Sequence, residues 1–230
     1  MNKRLIGAVL ATALMLGACA TNRTRSTTNT FTPKPGAQTL LVKPDVNLKV
    51  LMATGLRETR ADWSQQGEAN LTAALQAELA ARGSSVKLLD PSAGLTPRQI
   101  QLIKLNDTVV NTSLQYDYAG FKLPTKKDKF DRTIGPGAAV LGAGKNADYA
   151  LLVKADGSFQ SAGKIVMNIA VMALGNAPQT GGTAMFVTLV DLQTGDIVWS
   201  NLATAALGGD IRDPESAERV VAALLEDFPL

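Results

Sequence analysis

Chemistry at a protein site needs side chains that take up protons, attack or coordinate, and this chain of 230 residues keeps few of them in useful company. Histidine is absent and cysteine occurs once, at Cys19. That removes imidazole as base, proton shuttle or metal ligand and leaves the thiol without a disulfide partner. Ser161-Ala162-Gly163-Lys164 has the Ser-x-x-Lys spacing, but penicillin-recognising enzymes carry that motif on a helix. Here the glycine-flanked surroundings read as a loop between strands, so chance spacing is the expectation. Ala139–Asn146 lacks the first glycine of a phosphate-binding loop and places Asn146 where a Mg²⁺-binding hydroxyl would stand. Gly142–Ala147 matches a dinucleotide fingerprint in letters but precedes a strand, the reverse of the working order. Asp210, Asp213 and Glu215 could gather a cation, yet Asp213 before Pro214 reads more simply as a helix cap with Glu215 favoured by the helix dipole. No carboxylate pair is singled out by spacing. The expectation is a chain with no catalytic residue, metal site or cofactor.

Cys19 has a different chemistry. Lys3 and Arg4 precede an apolar run from Leu5 to Ala18, too short for a span of about 20 residues and suited to a secretory signal. The run closes as Leu16-Gly17-Ala18-Cys19, which resembles the bacterial lipobox. That resemblance implies signal-peptidase recognition through Leu16, Gly17 and Ala18, cleavage after residue 18, and acylation of Cys19 at the new N-terminus. A single acyl chain holds a protein only marginally at about 0.8 kcal/mol per buried methylene, so stable attachment takes two or more, as lipobox products carry. Ala20, rather than aspartate, resembles the pattern sorted to the outer membrane of a Gram-negative cell. The implied location is the periplasmic side of that membrane.

Residues 19–36 are polar and rich in threonine, ending Pro33-Lys34-Pro35-Gly36. Without apolar periodicity they are expected to form a disordered tether with a reach of roughly 20–25 Å at about 5–6 Å × √n. Taking Lys3 and Arg4 away with the signal leaves 21 basic residues against 20 acidic ones. Such a chain has no whole-molecule field to collect nucleic acid, and no nucleic-acid partner is expected.

The whole chain is 46% hydrophobic but poor in aromatics, so residues 37–230 can form one domain with an aliphatic core. Gln38–Val42 and Val46–Met52 read as strands around Pro44-Asp45. Asp62 and Gln65 suggest a capping box before a helix whose Leu71, Ala74, Leu75 and Leu79 share a face, with Gly83 as the stop. Val86–Leu89 reads as a strand. Thr96-Pro97-Arg98-Gln99 opens a second helix carrying Ile100 and Ile103, extending toward Val110 and Leu114. Tyr116–Arg132 reads as a solvated, lysine-rich loop and Thr133–Lys145 as a glycine-interrupted helix. Asp148–Ala155 reads as a strand, and Met185–Leu192 with Ile197–Ala203 as a hairpin around Gln193-Thr194-Gly195. Both faces of Met185–Leu192 are apolar, which predicts a central strand covered on both sides. Val220, Val221, Leu224 and Leu225 mark a final helix. Ile165–Leu174 is apolar without alternation and is expected to be a buried strand or a surface-packing segment; a pore-forming strand would alternate. The fold class expected is α/β, a single mixed sheet with packed helices.

Ala147-Asp148-Tyr149-Ala150-Leu151-Leu152-Val153 and Val187–Trp199, with Asp191, Thr194, Gly195 and Trp199, resemble a group of envelope proteins. The group includes the curli-secretion lipoprotein, the penicillin-binding-protein activator lipoprotein and the N-terminal domain of the Tol-Pal translocation protein. The likeness implies a non-catalytic lipoprotein that binds or scaffolds an envelope assembly, through an envelope protein partner or as a homo-oligomer. A small-molecule or glycan-binding lipoprotein, or a subunit of an oligomeric secretion channel, are the alternatives.

Overall fold

The inner strands gather into one mixed sheet because their apolar residues face both ways. The computed structural model describes residues 21–26, 31–117, 124–125, 130–178, 180–205 and 209–230. The strands are β1 (Thr21–Ser26), β2 (Gln38–Val42), β3 (Asp45–Leu51), β4 (Arg57–Thr59), β5 (Ser85–Leu89), β6 (Tyr149–Gln160), β7 (Gly182–Asp191) and β8 (Ile197–Ala205). They lie in the order β1-β8-β7-β6-β2-β5, with β3 following β2 along the same edge of β6 and β4 outside β3. β2 runs parallel to β5 and β6, and β3 parallel to β6; the other pairs are antiparallel. The α/β class and the single mixed sheet are as expected from the sequence.

Two apolar layers sandwich the sheet. On one face lie α1 (Ala61–Ala81) and α4 (Pro214–Leu224), whose Leu71, Leu75, Leu79, Ala217, Val221 and Leu224 join Met185, Val187 and Leu189 of β7. On the other lie α2 (Pro97–Asp117) and a 3₁₀ segment, Pro136–Gly142, bringing Leu102, Ala138 and Leu141 against Val190 and Leu192. β7, with neighbours on both edges and apolar layers on both faces, is the central strand its composition predicts.

Local signals succeed where they are complete. Thr96 and Gln99 form a reciprocal capping box on α2: the Gln99 N–H donates to Thr96 Oγ1 at 3.3 Å and the Thr96 N–H to Gln99 Oε1 at 3.0 Å. Asp213 caps α4 by accepting the Ser216 N–H at 2.8 Å. In the β7–β8 turn Gly195 has φ +82° while Asp191 Oδ1 accepts the Gln193 and Thr194 N–H groups.

Several expectations are corrected. Asp62 does not cap α1; the cap position is Arg60, and Asp62 is held by the Arg60 guanidinium at 2.6 and 2.9 Å. α2 buries Leu102, Asn106 and Val110, leaving Ile100 outside. Its face is turned by the buried bond from the Thr188 hydroxyl to Asn106 Oδ1 (3.1 Å), since a polar group taken out of water needs a partner. Thr133–Lys145 holds only the 3₁₀ segment, where Gly142 lets the backbone pass the Leu192 side chain closely enough that a Cβ would lie 2.9 Å from it. Ile165–Leu174 is not a buried strand: Ala162–Ala173 is a helix, α3, whose large apolar side chains lie at the surface.

Within the 19–36 span expected as a tether, Thr21–Ser26 pair with β8 as an edge strand. The ladder joins backbone groups, so a threonine-rich polar segment can form it without apolar side chains.

Candidate functional site

Leu16, Gly17, Ala18 and Cys19, the predicted signal-peptidase and lipidation residues, lie outside the described residues, as do Lys122, Lys126, Lys127 and Lys129 of the basic loop. The other motifs resolve into structure. Asp210 accepts two hydrogen bonds from the Arg212 guanidinium (2.6 and 2.8 Å), and Asp213 is occupied as a cap. Burial alone would raise the Asp210 pKa, but the Arg212 hydrogen bonds outweigh it and hold the carboxyl below its ordinary value. Among the described residues no group of three Cys, Asp or Glu side chains is placed to hold a metal ion. Ser161 and Lys164 do lie at a helix start, contrary to the loop expected. There the Ser161 hydroxyl accepts the Lys164 backbone N–H at 3.1 Å, which is a capping bond.

The surface that stands out is α3. Lys164 and Asn168, one helical turn apart and therefore on one stripe, are 7% and 5% exposed. Ile165, Val166, Met167, Ile169, Met172 and Leu174 are all at least half exposed, Leu174 reaching 79%. The helix is seated with its polar stripe inward and its apolar face outward, the reverse of a helix that packs on a core.

Its seating follows from two bonds to the sheet, and its length from a local stop. The Ser161 N–H donates to the Leu51 carbonyl at 3.0 Å, tying the helix start to the end of β3. Asn168 Nδ2 donates to Gln160 Oε1 at 2.8 Å, drawing the polar stripe onto the last residue of β6. Gly175, at φ +77°, donates to the Met172 carbonyl, and Asn176 donates to that of Val171. That pair of bonds is a Schellman stop. The signals were present in the sequence, with Ser161 as cap and Gly175-Asn176 as stop. The apolar run between them masked them, because only Lys164 and Asn168 interrupt it.

The registers place α3 in the molecule. Leu51 lies opposite Gln160, Ser158 opposite Gly182, Thr183 opposite Ala205, and Thr204 opposite both Ala184 and Thr21. The last residues of β3, β6 and β8 and the first of β1 and β7 therefore share one end of the sheet, and α3 starts there. The β3–β4 turn, with Leu56 at 67% exposure, is at the same end. Beside it the Arg212 guanidinium lies 4.1 Å from the ring centroids of both Trp63 and Phe159, and Arg60 lies 4.6 Å from Trp63.

A second feature is an open groove of about 540 Å³ along β3, lined by Asp45, Asn47, Thr59, Gln65, Lys154 and Asp156 among others. Lys154 bridges Asp107 at 3.0 Å and Asp45 at 3.3 Å. Burial acts to lower its pKa, and the two carboxylates, Asp107 foremost, reverse that and hold it raised.

No protein-family model matches the chain, and no curated protein matches it in sequence. Among solved structures it is similar to the PelC dodecamer from Paraburkholderia phytofirmans, with 14% identity over 90% of this chain and 94% of that one and a TM-score of 0.38. It is also similar to lipoprotein GNA1162 from Neisseria meningitidis, with 12% identity over 84% of this chain and 96% of that one and a TM-score of 0.34. These are weak similarities of fold.

Proposed function

We propose that the protein is a non-catalytic lipoprotein, acylated on Cys19 and facing the periplasm from the outer membrane, that holds an envelope assembly at the bilayer. The observation that carries this reading is the inverted seating of α3. A helix held to the sheet through Ser161 and Asn168 with its apolar face outward presents a contact surface that can hold the body at the bilayer, while nearby titratable residues are engaged in caps and ion pairs. The lipobox residues Leu16 to Cys19 supply the attachment. The test is crosslinking in cells followed by mass spectrometry, comparing the natural protein with Cys19→Ser. The expected result is a recurrent set of envelope proteins, or a second copy, captured by the natural chain, with the variant lost from the membrane fraction. A chain that keeps its starting methionine and an unmodified Cys19 sulfur overturns the reading.

The groove along β3 favours a second reading, a glycan-binding lipoprotein, since carboxylate, amide and hydroxyl groups line an open cleft. A rise in melting temperature with peptidoglycan fragments, lost in Asn47→Ala, would support it.

A further inference from the structure

We infer, building on the reading of Cys19 as the acylated residue, that α3 is an interfacial membrane helix. It lies along the headgroup region of the leaflet that holds the Cys19 chains, with Ile165, Val166, Ile169 and Met172 turned toward the acyl boundary.

Chain length carries the argument. Thr21 begins β1 opposite Thr204, at the end of the sheet from which α3 departs. Cys19 precedes Thr21 by two residues, so at about 3.3–3.6 Å per residue its backbone can be no more than about 7 Å from that end, with the acylated sulfur one short side chain further. Acyl chains in the leaflet therefore bring this end of the sheet, and not the opposite one, to the bilayer surface. The exposed apolar side chains are gathered where that requires. Leu56 is at this end and α3, with its outward residues, starts from it, while Ile100, Leu105 and Val140, on α2 and the 3₁₀ segment, are the less exposed large apolar residues elsewhere among those described.

The dimensions suit a helix that lies flat. Twelve residues at 1.5 Å each give about 18 Å, well short of the roughly 30 Å hydrocarbon core. No described helix is long and apolar enough to cross a membrane. A helix in the interfacial plane needs its apolar side buried by only about 5–10 Å, the depth of one layer of side chains.

Lipid fits the face better than protein does. Centres of protein interfaces are enriched in Tyr, Trp, Phe, Met and Arg; of these the outward face of α3 has only Met167 and Met172, with no aromatic ring and no arginine beside Ile165, Val166 and Ile169. Lys164, the sole charge on the helix, is turned inward. The contact is thus apolar and should resist salt.

The test uses the full acylated protein reconstituted in phosphatidylethanolamine–phosphatidylglycerol vesicles. Mass analysis first establishes acylation; an unmodified Cys19 overturns the anchoring reading and, with it, this one. Acylation leaves no other thiol, so Val166→Cys, Ile169→Cys and, on α2, Ile100→Cys each take one NBD fluorophore. The expected result is blue-shifted emission at 166 and 169, lost on adding doxyl-labelled lipid and unchanged at high salt, with aqueous emission at 100. Aqueous emission at 166 and 169 in acylated protein overturns the inference while leaving the anchor intact. Blue-shifted emission that doxyl lipid does not quench also overturns it, and shows that protein covers the face; a crosslink between two copies at 166 would identify that protein.

Discussion

Asn168 Nδ2 and Gln160 Oε1 lie 2.8 Å apart, across the joint where β6 gives way to α3. This bond keeps the polar stripe of the helix against the sheet and so keeps the apolar face outward. Asn168→Ala should weaken it by about 1 kcal/mol, the ordinary net worth of such a bond. Amides of 162–173 should exchange faster while those of β7 do not, since α3 is fastened at the margin of the fold. Unchanged exchange in α3 would show that the seating does not depend on this bond.

Buried Asn201, 1% exposed, donates from β8 to the Leu224 carbonyl at the end of α4, 2.7 Å away. Asn201→Ala leaves that carbonyl without this donor in an apolar layer. A loss of about 1–3 kcal/mol is expected, read from the midpoint of denaturant unfolding. A loss within about 0.5 kcal/mol, as for an exposed substitution, would contradict the role assigned to it.

At Gly195, φ +82° and the closeness of the Gly135 carbonyl both exclude a side chain. The neighbouring Ile134 N–H donates to the Gly195 carbonyl at 2.8 Å, so the turn also anchors the loop that leads into the 3₁₀ segment. Gly195→Ala should lower stability by at least about 1–3 kcal/mol through backbone strain alone, whereas Gln193→Ala in the same turn should stay within about 0.5 kcal/mol. Thermal melts of the two variants side by side decide the matter.

Asp148 accepts the Gln38 backbone N–H at 3.1 Å and pairs with Lys34 at 3.0 Å. The backbone bond first, and Lys34 second, hold its pKa below the ordinary value. A carboxyl depressed in the folded state stabilises above the unfolded pKa of about 3.9 and loses that contribution as pH falls through the folded value. Asp148→Asn should therefore melt lower than the natural protein at pH 7, and the gap should close below about pH 4. A gap independent of pH would place the effect elsewhere than in the charge.

The elements legible in advance were those with a complete local signal. The capping box of Thr96 and Gln99, the Asp213 cap, and the Asp191–Gly195 turn are satisfied within a few residues of chain, so their types and spacing are enough. The faces of helices were less legible. The apolar residues that mark α2 along the chain do not say which of them is buried: Ile100 is outside while Leu102 is inside, and the buried partner of Asn106 on this helix is Thr188, 82 residues away. The same limit hid α3, whose cap and stop are local but whose seating depends on Gln160 and Leu51.

From residue types alone came the mixed α/β class, the doubly covered β7, and the lipobox reading of Cys19, since each rests on pattern along the chain. Tertiary structure alone decided that Thr21–Ser26 run along β8, that this strand puts Thr21 at the α3 end of the sheet, and that α3 turns its apolar side outward. Strand registers and helix seating depend on bonds between segments far apart in sequence, and a polar ladder or an inverted amphipathic helix leaves no distinct period along either segment by itself.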